Sequence, residues 1–150
     1  MKEVKEDTII LVAEDDEGHA ILMRENLEAA GVKNRIEHFV DGQAILDFLF
    51  ERGAGRKREM GRFYIVLLDI RMPKVDGIEV LRQIKVSPAL RGLPVIMLTT
   101  TDDLREVDRC YRLGCNVYIR KPIDYEQFAE AVRKLGMFIP LLQVPPMVAF

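Results

Sequence analysis

The stretch Leu67–Gly77, with the sequence LLDIRMPKVDG, decides both the fold and the chemistry of this 150-residue chain. It begins inside the apolar run Tyr64–Leu68 (YIVLL), which is followed at once by Asp69. The run is too short for a buried helix, and its length and apolar character are typical of a strand buried on both faces of a parallel sheet. Ligands of such sheets bind at the carboxyl ends of the strands, so Asp69 is a candidate functional residue.

Four further segments predict strands of the same sheet. They are Thr8–Ala13 (TIILVA), Val95–Leu98 (VIML), Val117–Ile119 (VYI) and the more polar, alternating Arg35–Val40 (RIEHFV), which we expect at an edge. Stretches of helical period lie between them, for example Phe128, Ala131, Val132 and Leu135, or Leu104, Val107 and Tyr111. Asp41 and Asp124 are placed to cap helices. The alternation predicts an α/β fold, a doubly wound five-stranded parallel sheet with helices on both faces.

The composition excludes several classes of protein. Hydrophobic residues make up 49% of the chain and charged residues 31%, enough for a full core, and the formal net charge is −2. This near balance argues against a nucleic-acid partner, and no apolar run approaches the roughly 18 residues of a membrane span. The N-terminus lacks the apolar stretch of a signal peptide. The two cysteines, Cys110 and Cys115, do not have the spacing of a zinc site. We expect both to be structural thiols. We therefore expect a cytoplasmic protein.

Polar residues follow four of the predicted strands directly. Glu14 to Glu17 follow the first, Asp69 the third, Thr99 to Thr101 the fourth, and Arg120 with Lys121 the fifth. Because the carboxyl ends of parallel strands share one edge, carboxylates, a hydroxyl and an ammonium are expected to converge there.

This combination of groups predicts phosphoryl chemistry with a Mg²⁺ cofactor. Crowded carboxylates repel one another, and a hard divalent cation with oxygen ligands relieves the repulsion. Lys121 supplies a point charge, and the Thr99 hydroxyl can donate to a phosphoryl oxygen. Asp69, after a wholly apolar strand, is the carboxylate best placed to attack phosphorus.

The same residues carry a resemblance to the receiver domains of two-component response regulators, over residues 7–136. The matching stretches are Leu11–Asp16 (LVAEDD), Leu67–Gly77, Pro94–Thr99 (PVIMLT) and Tyr118–Pro122 (YIRKP). The resemblance implies the flavodoxin-like receiver fold with strand order 2-1-3-4-5. It also implies that Asp69 accepts a phosphoryl group from a histidine of a sensor histidine kinase. The chain would then not be an enzyme, and its own catalysis would be limited to the phosphorylation and dephosphorylation of its own aspartate.

The resemblance also assigns roles to the other residues of this edge. The implied metal ligands are Glu14, Asp15, Asp69 and the backbone carbonyl of Arg71. Thr99 and Lys121 match the hydroxyl and the lysine that contact the phosphoryl group, and Tyr118 matches the aromatic residue that switches with Thr99. Arg71 and Thr101 stand where members of the family vary, and we predict that they tune the lifetime of the phosphoryl group. Lys121-Pro122 resembles a cis peptide of the family.

A narrower resemblance is to single-domain regulators paired with phytochrome-type histidine kinases. It rests on the basic loop Glu51–Arg62 and on the apolar, proline-rich end, including Phe138–Pro146. We predict a receiver domain over 7–136 and an extension over 137–150 that serves as a dimer arm or a packing arm. The sequence after Gly136 contains no helix-turn-helix candidate, so we expect the output to be a contact with another protein. We also expect the chain to form a homodimer, and its downstream protein target is unknown.

Alternatives of other classes remain. A flavodoxin-like electron carrier has a phosphate loop after its first strand, where this chain has four consecutive acids that repel phosphate. Phosphatases of the haloacid dehalogenase type place a second aspartate two residues after the first, and here that residue is Arg71. A receiver-like binding module that works without phosphorylation stays open. His19 and His38 are expected to be surface or packing residues, and Arg56, Lys57 and Arg58 to lie in a solvated loop.

Overall fold

A computed structural model describes residues 2–3, 7–59, 61–100 and 103–145, with the side chains at 2, 3 and 143 left outside the description. In chain order the elements are β1 (Lys2–Glu3), β2 (Ile9–Ala13), α1 (Glu17–Ala29), β3 (Ile36–Phe39), α2 (Gly42–Leu49), β4 (Tyr64–Leu68), α3 (Gly77–Val86), β5 (Val95–Thr99), α4 (Leu104–Leu113), β6 (Val117–Arg120), α5 (Tyr125–Phe138), a 3-10 turn (Ile139–Leu141) and β7 (Gln143–Val144).

Five strands form one parallel sheet in the order β3-β2-β4-β5-β6. Counted within this sheet the order is 2-1-3-4-5, which confirms the predicted fold class. The predicted polar strand, β3, lies at an edge. In the register, Ala13 is paired with Leu68 and Thr99 with Arg120, so the strand ends that precede the candidate site residues lie along one edge.

Side-chain alternation along each strand produces two hydrophobic cores, one on each face of the sheet. Ile9 and Leu11 point to the face covered by α2, α3 and part of α4. Ile10 and Val12 point to the face covered by α1 and α5. Because both faces are covered, the central strands contain almost no polar residues, which is why they were recognisable in the sequence.

An aspartate caps the N-terminus of each α-helix. The Asp41 carboxylate accepts from the Ala44 N–H at 2.7 Å and the Asp124 carboxylate from the Gln127 N–H at 3.0 Å, which confirms both predicted caps. Asp16, Asp76 and Asp103 cap α1, α3 and α4 in the same way. These caps satisfy N–H groups that a helix start otherwise leaves unpaired, and they fix where each helix begins.

The apolar stripe of α4 faces outward instead of into the core. Leu104 is 81% exposed and Tyr111 is 50% exposed, whereas Cys110 is fully buried. Periodicity alone finds the apolar side of a helix but does not say whether the domain itself covers that side.

The chain near its two ends forms a second, smaller sheet, in which β1 pairs antiparallel with β7. The segment after α5 packs on the domain through Ile139 and Val144, which are buried in the core beneath α1 and α5. Met137 and Leu141 stay exposed. The helix α5 continues two residues past Gly136, and the predicted boundary at 136/137 and the role of the extension stay predictions. No helix within the described residues combines the length and the apolar character needed to cross a bilayer.

Candidate functional site

Three acidic side chains meet at the carboxyl edge of the sheet. Glu14 follows β2 and Asp69 follows β4, and both are buried, whereas Asp15 is exposed at the rim. Their carboxylate oxygens include a set that lies within 4.8 Å of one another. The three residues form what we call the acid pocket. A group of oxygen ligands this close suits a small hard cation.

Lys121 reaches into the acid pocket from the end of β6. Its side chain is 1% exposed, and its Nζ lies 3.2 Å from Glu14 Oε2 and 3.4 Å from Asp69 Oδ2. The backbone N–H of Lys121 donates to the Thr99 carbonyl at 2.6 Å, which continues the sheet past the last strand residue. One ammonium therefore contacts two of the three acidic side chains of the pocket, and the acids outnumber the cation.

The two buried carboxylates share a proton unequally. Burial, and next the neighbouring Asp69 carboxylate, raise the pKa of Glu14 to about 8. Burial also opposes the charge on Asp69, but the hydrogen bond with Glu14 and the charge of Lys121 outweigh it and lower the pKa of Asp69. Asp69 is thus the carboxylate that stays ionised, as a nucleophile must. Its Oδ1 also accepts from the Ile70 N–H at 2.7 Å, which fixes its orientation.

Gly77 permits the close backbone packing that holds Asp69 in place. A Cβ at this position would lie 1.9 Å from the carbonyl oxygen of Asp69, so α3 can begin here only with glycine. The Gly77 N–H donates to the Ile70 carbonyl at 2.7 Å. The predicted stretch Leu67–Gly77 therefore forms one compact unit of strand end, nucleophile loop and helix start.

Thr99 and Tyr118, the two predicted switch residues, lie on the neighbouring strands β5 and β6. Thr99 is fully buried at the end of β5, and its hydroxyl has no hydrogen-bond partner among the described residues. Tyr118 is half-buried in β6 and packs against the core beneath α2 and α3, and burial raises its pKa to about 12. A buried hydroxyl without a partner carries a free-energy cost that a new acceptor at the pocket removes.

The Arg71 side chain pairs with a residue outside the acid pocket. Its guanidinium pairs with Glu106 in the first turn of α4, and the Arg71 side chain is 64% exposed. Thr101, the second residue that we expect to affect phosphoryl lifetime, lies outside the described residues. The expected cis peptide at Lys121-Pro122 is wrong: the peptide is trans, the ordinary state of a bond to proline.

His19 is a site residue that the sequence did not reveal. Its Nδ1 lies 3.1 Å from Glu14 Oε1 and 3.3 Å from Lys121 Nζ, although we expected a surface or packing role. The spacing of five residues from Glu14 carries no family signal. Only the start of α1 at Glu17 brings the histidine back over the strand end.

The remaining sequence expectations concern residues away from the acid pocket. Arg56 is not simply a solvated loop residue, because its guanidinium pairs with the buried Glu37 at 3.0 Å. Cys110 and Cys115 are buried free thiols, and burial raises the pKa of Cys110 to about 12. His38 bonds through Nε2 to the Glu14 carbonyl and thereby links β3 to the end of β2.

The fold and the acid pocket together define a response regulator receiver domain. The model of that family, described as the response regulator receiver domain, matches residues 10–133, and the chain belongs to this family. Members of the family are signalling regulators that accept a phosphoryl group, so the chain has that class of function.

Two relatives share more than 40% of their residues with this chain. A response regulator receiver domain from Rhodospirillum rubrum has a crystal structure with 46% identity and a TM-score of 0.88, covering 95% of this chain and 100% of that one. The probable methanogenesis regulatory protein FilR2 of Methanothrix harundinacea is 41% identical over 89% of this chain and 84% of its own.

Two further relatives are response regulators by name. Rcp1 of Synechocystis is 32% identical over 87% of both chains, and its Mn²⁺-bound form matches with a TM-score of 0.81. The bacteriophytochrome response regulator RtBRR is 38% identical, with a TM-score of 0.71, covering 97% of this chain and 85% of that one.

Proposed function

We propose that Asp69 is the phosphoacceptor of this response regulator and receives its phosphoryl group from a histidine kinase in the cytoplasm. The observation that supports this most directly is the pair of buried charges Asp69 and Lys121, with Nζ 3.4 Å from Asp69 Oδ2. An ionised carboxylate attacks phosphorus, and the ammonium beside it neutralises the charge that arrives with the phosphoryl oxygens.

Mg²⁺ is the proposed cofactor, held by Glu14, Asp15, Asp69 and the backbone carbonyl of Arg71. The pocket fits a hard divalent cation because its three acidic side chains outnumber the Lys121 ammonium and their oxygens lie within 4.8 Å. When bound, the cation supplies positive charge to the phosphoryl oxygens during transfer. The Mn²⁺-bound form of Rcp1 supports a divalent ion in a relative of this chain.

The experiment is an intact-mass measurement after incubation with acetyl phosphate. We expect one added phosphoryl group with Mg²⁺, and none with EDTA or in the Asp69→Asn variant. A matched control is Asp16→Asn, which removes an exposed carboxylate that caps α1 beside the pocket. If the wild-type chain gains no mass under conditions that label another receiver domain, the proposal fails and the phosphorylation-independent module is favoured.

The switch that follows phosphorylation uses Thr99 and Tyr118. The unpaired hydroxyl of Thr99 donates to a new phosphoryl oxygen, and Tyr118 turns into the space that Thr99 leaves. Fluorine-19 NMR of fluorotyrosine at 118 is expected to show a new environment after phosphorylation, and Thr99→Val is expected to suppress the change. If phosphorylation changes the fluorine spectrum equally in the wild-type chain and in Thr99→Val, or changes it in neither, this switch is contradicted.

Arg71 and Thr101 are proposed to set how long the phosphoryl group persists. Arg71 flanks Asp69 along the chain, and its guanidinium is exposed enough to leave Glu106 for a phosphoryl oxygen. We expect decay of the phosphorylated chain to change at least severalfold in an Arg71→Ala, Thr101→Ala double variant. An unchanged decay rate measured by intact mass over time contradicts this role.

The partner kinase is proposed to be of the phytochrome type, with RtBRR as the supporting relative. FilR2, which is named for regulation of methanogenesis, is similarly close in sequence, so the test must compare kinases. We expect faster phosphotransfer to Asp69 from a bacteriophytochrome kinase than from a kinase without a phytochrome sensor. Equal or slower transfer from the bacteriophytochrome contradicts the assignment.

Output is proposed to pass through a homodimer that contacts a downstream protein target. The large apolar side chains Leu104, Ile123, Tyr125 and Met137, which are exposed on α4, on α5 and in the loop before α5, support this as positions that a second copy of the chain would cover. We expect Ile123→Glu and Met137→Glu to shift sedimentation to the monomer. Ile21→Glu, which is half-exposed on α1, is the control. A dimer that survives both substitutions, or a monomeric wild type, contradicts the proposal.

A further inference from the structure

We propose that Lys74 is a positioning residue for the metal ion, and that it acts through its backbone instead of its ammonium group. Lys74 lies at a sharp turn in the loop between β4 and α3, and the same loop carries Arg71. The start of α2 holds the turn, which keeps the loop in the shape that presents the Arg71 carbonyl to Mg²⁺. The inference rests on the proposed function, in which that carbonyl is a metal ligand.

The backbone at Lys74 has a conformation that is costly for lysine. Its φ angle is 69°, in the left-handed region that residues with a Cβ seldom adopt. The Val75 N–H donates to the Pro73 carbonyl at 2.8 Å. A hydrogen bond that spans three residues, with a positive φ at the central one, defines the rarer and strained form of the γ-turn. Strain of this kind persists only where the surrounding structure holds it, and it is concentrated at ligand sites.

The start of α2 holds this turn from the side. A Cβ at Gly42 would lie 1.8 Å from the carbonyl oxygen of Val75, so the two backbones are in direct contact and only glycine fits. The Asp41 carboxylate caps α2 through the Ala44 N–H and also lies 3.5 Å from Lys74 Nζ. Because the Lys74 side chain is 67% exposed, this ion pair contributes little. The packing of backbone on backbone is therefore what keeps the turn closed.

The loop that contains the turn is closed at its ends. The Gly77 N–H donates to the Ile70 carbonyl at 2.7 Å, and the Asp76 carboxylate caps α3. Since the two ends cannot move apart, opening the turn at Lys74 must displace the residues between them, which include Arg71. Mg²⁺ requires near-ideal octahedral geometry with short metal–oxygen distances, so a displaced carbonyl is lost as a ligand.

The experiment compares Lys74→Val with Lys74→Asn in the full chain by calorimetric titration with Mg²⁺. Both substitutions remove the ammonium of an exposed side chain, and they differ in backbone preference. Asparagine tolerates a positive φ, whereas the β-branched valine opposes it. We expect the Kd for Mg²⁺ to be about fivefold higher in Lys74→Val, because the loop is then open in most molecules before the ion binds. We expect Lys74→Asn to stay within about twofold of wild type.

The dependence of phosphorylation on Mg²⁺ concentration separates positioning from a change in the transfer step. In Lys74→Val, we expect slower phosphoryl incorporation from acetyl phosphate at limiting Mg²⁺ and the wild-type rate at saturating Mg²⁺, since the bound ion closes the loop. Urea unfolding in EDTA shows whether each variant is folded. If Lys74→Val has lost its fold, Lys74→Thr replaces it, because threonine is also β-branched but polar, and we expect the same loss of affinity.

The outcomes separate this inference from the proposed function. If a folded Lys74→Val binds Mg²⁺ as tightly as wild type, the turn does not position the loop and the inference is wrong. Equal losses of affinity in Lys74→Val and Lys74→Asn, or a Lys74→Val rate that stays low at saturating Mg²⁺, also overturn it. If wild type binds Mg²⁺ but takes up no phosphoryl group, the proposed phosphoacceptor fails and the affinities still decide the role of Lys74. If wild type binds no Mg²⁺, the proposed cofactor and this inference are both wrong.

Discussion

Two clusters of charge in this molecule are built in opposite ways. In the acid pocket, Glu14, Asp15 and Asp69 share the single buried cation Lys121. In a second cluster, on β3 and the loop before β4, the cations outnumber the central acid. There Glu37, 4% exposed, has Arg35 Nε at 3.1 Å from Oε1 and Arg56 Nη2 at 3.0 Å from Oε2. We call this second group the arginine cluster.

The difference separates a structural ion pair from a binding site. In the arginine cluster, two guanidinium groups compensate one carboxylate, and arginine stays charged at any ordinary pH. Its central charge is therefore paired within the protein. In the acid pocket the compensation is incomplete, so Glu14 keeps a proton up to a pKa of about 8 and the pocket gains from a further cation. Incomplete compensation of buried charge, rather than burial itself, indicates the functional site.

The largest expected effect is a backbone clash beside the acid pocket. We expect Gly77→Ala to lower the free energy of unfolding by about 3 kcal/mol, because the new Cβ would lie 1.9 Å from the Asp69 carbonyl oxygen. Urea unfolding gives the value. The matched control is Gly55→Ala, in the loop of the arginine cluster, where no atom lies within 4 Å of the added Cβ. Equal stability of the two variants would contradict the close packing described for the pocket.

An intermediate effect tests the charge comparison directly. We expect Glu37→Gln to lower the free energy of unfolding by about 2 kcal/mol, because it takes a charged acceptor from two arginines. Asp69→Asn, measured in EDTA, is expected to leave stability unchanged or to raise it, since it relieves the excess of carboxylates. If Asp69→Asn lowers the free energy of unfolding as much as Glu37→Gln does, the proposed difference between the acid pocket and the arginine cluster is wrong.

The smallest expected effect comes from the metal ion. At a Mg²⁺ concentration ten times its Kd, binding to the folded state raises the free energy of unfolding by about 1.4 kcal/mol. We expect this gain in wild type and in Glu37→Gln alike, and a smaller gain at the same concentration in Asp15→Asn. Calorimetry supplies the Kd, and chelation should reverse the gain. A gain that depends on Glu37 would show that the ion binds elsewhere.

The sequence predicted the sheet and most of the acid pocket for one physical reason. Strands buried on both faces are nearly free of polar residues, so the first polar residue after each run marks the carboxyl edge. Glu14, Asp69 and Thr99 are found in this way, and Lys121 directly follows Arg120, the first charged residue after its run. Aspartate caps at helix starts were predictable from the same kind of local chemistry, as at Asp41 and Asp124.

What the sequence did not predict depends on contacts between distant elements. The start of α1 brings His19 to Glu14, and its contacts with Phe128 and Lys121 depend in addition on the position of α1 against α5. The strands β1 and β7 are two residues each, too short for any periodic pattern. The outward face of α4 has the same apolar period as an inward one, so Leu104 gave no sign of its 81% exposure.

The pairing of β1 with β7 has a consequence for chain topology. Lys2 lies opposite Val144 in this pair, and Pro145 packs near Gly92, before the amino end of β5. Lys2 and Val144 are therefore neighbours on the side of the sheet away from Asp69. A short linker between them and a new opening in the loop at 53–55 would give a circular permutant with the acid pocket intact. For the same reason, a reporter domain joined next to Lys2 or Val144 would lie on the side of the sheet opposite Asp69.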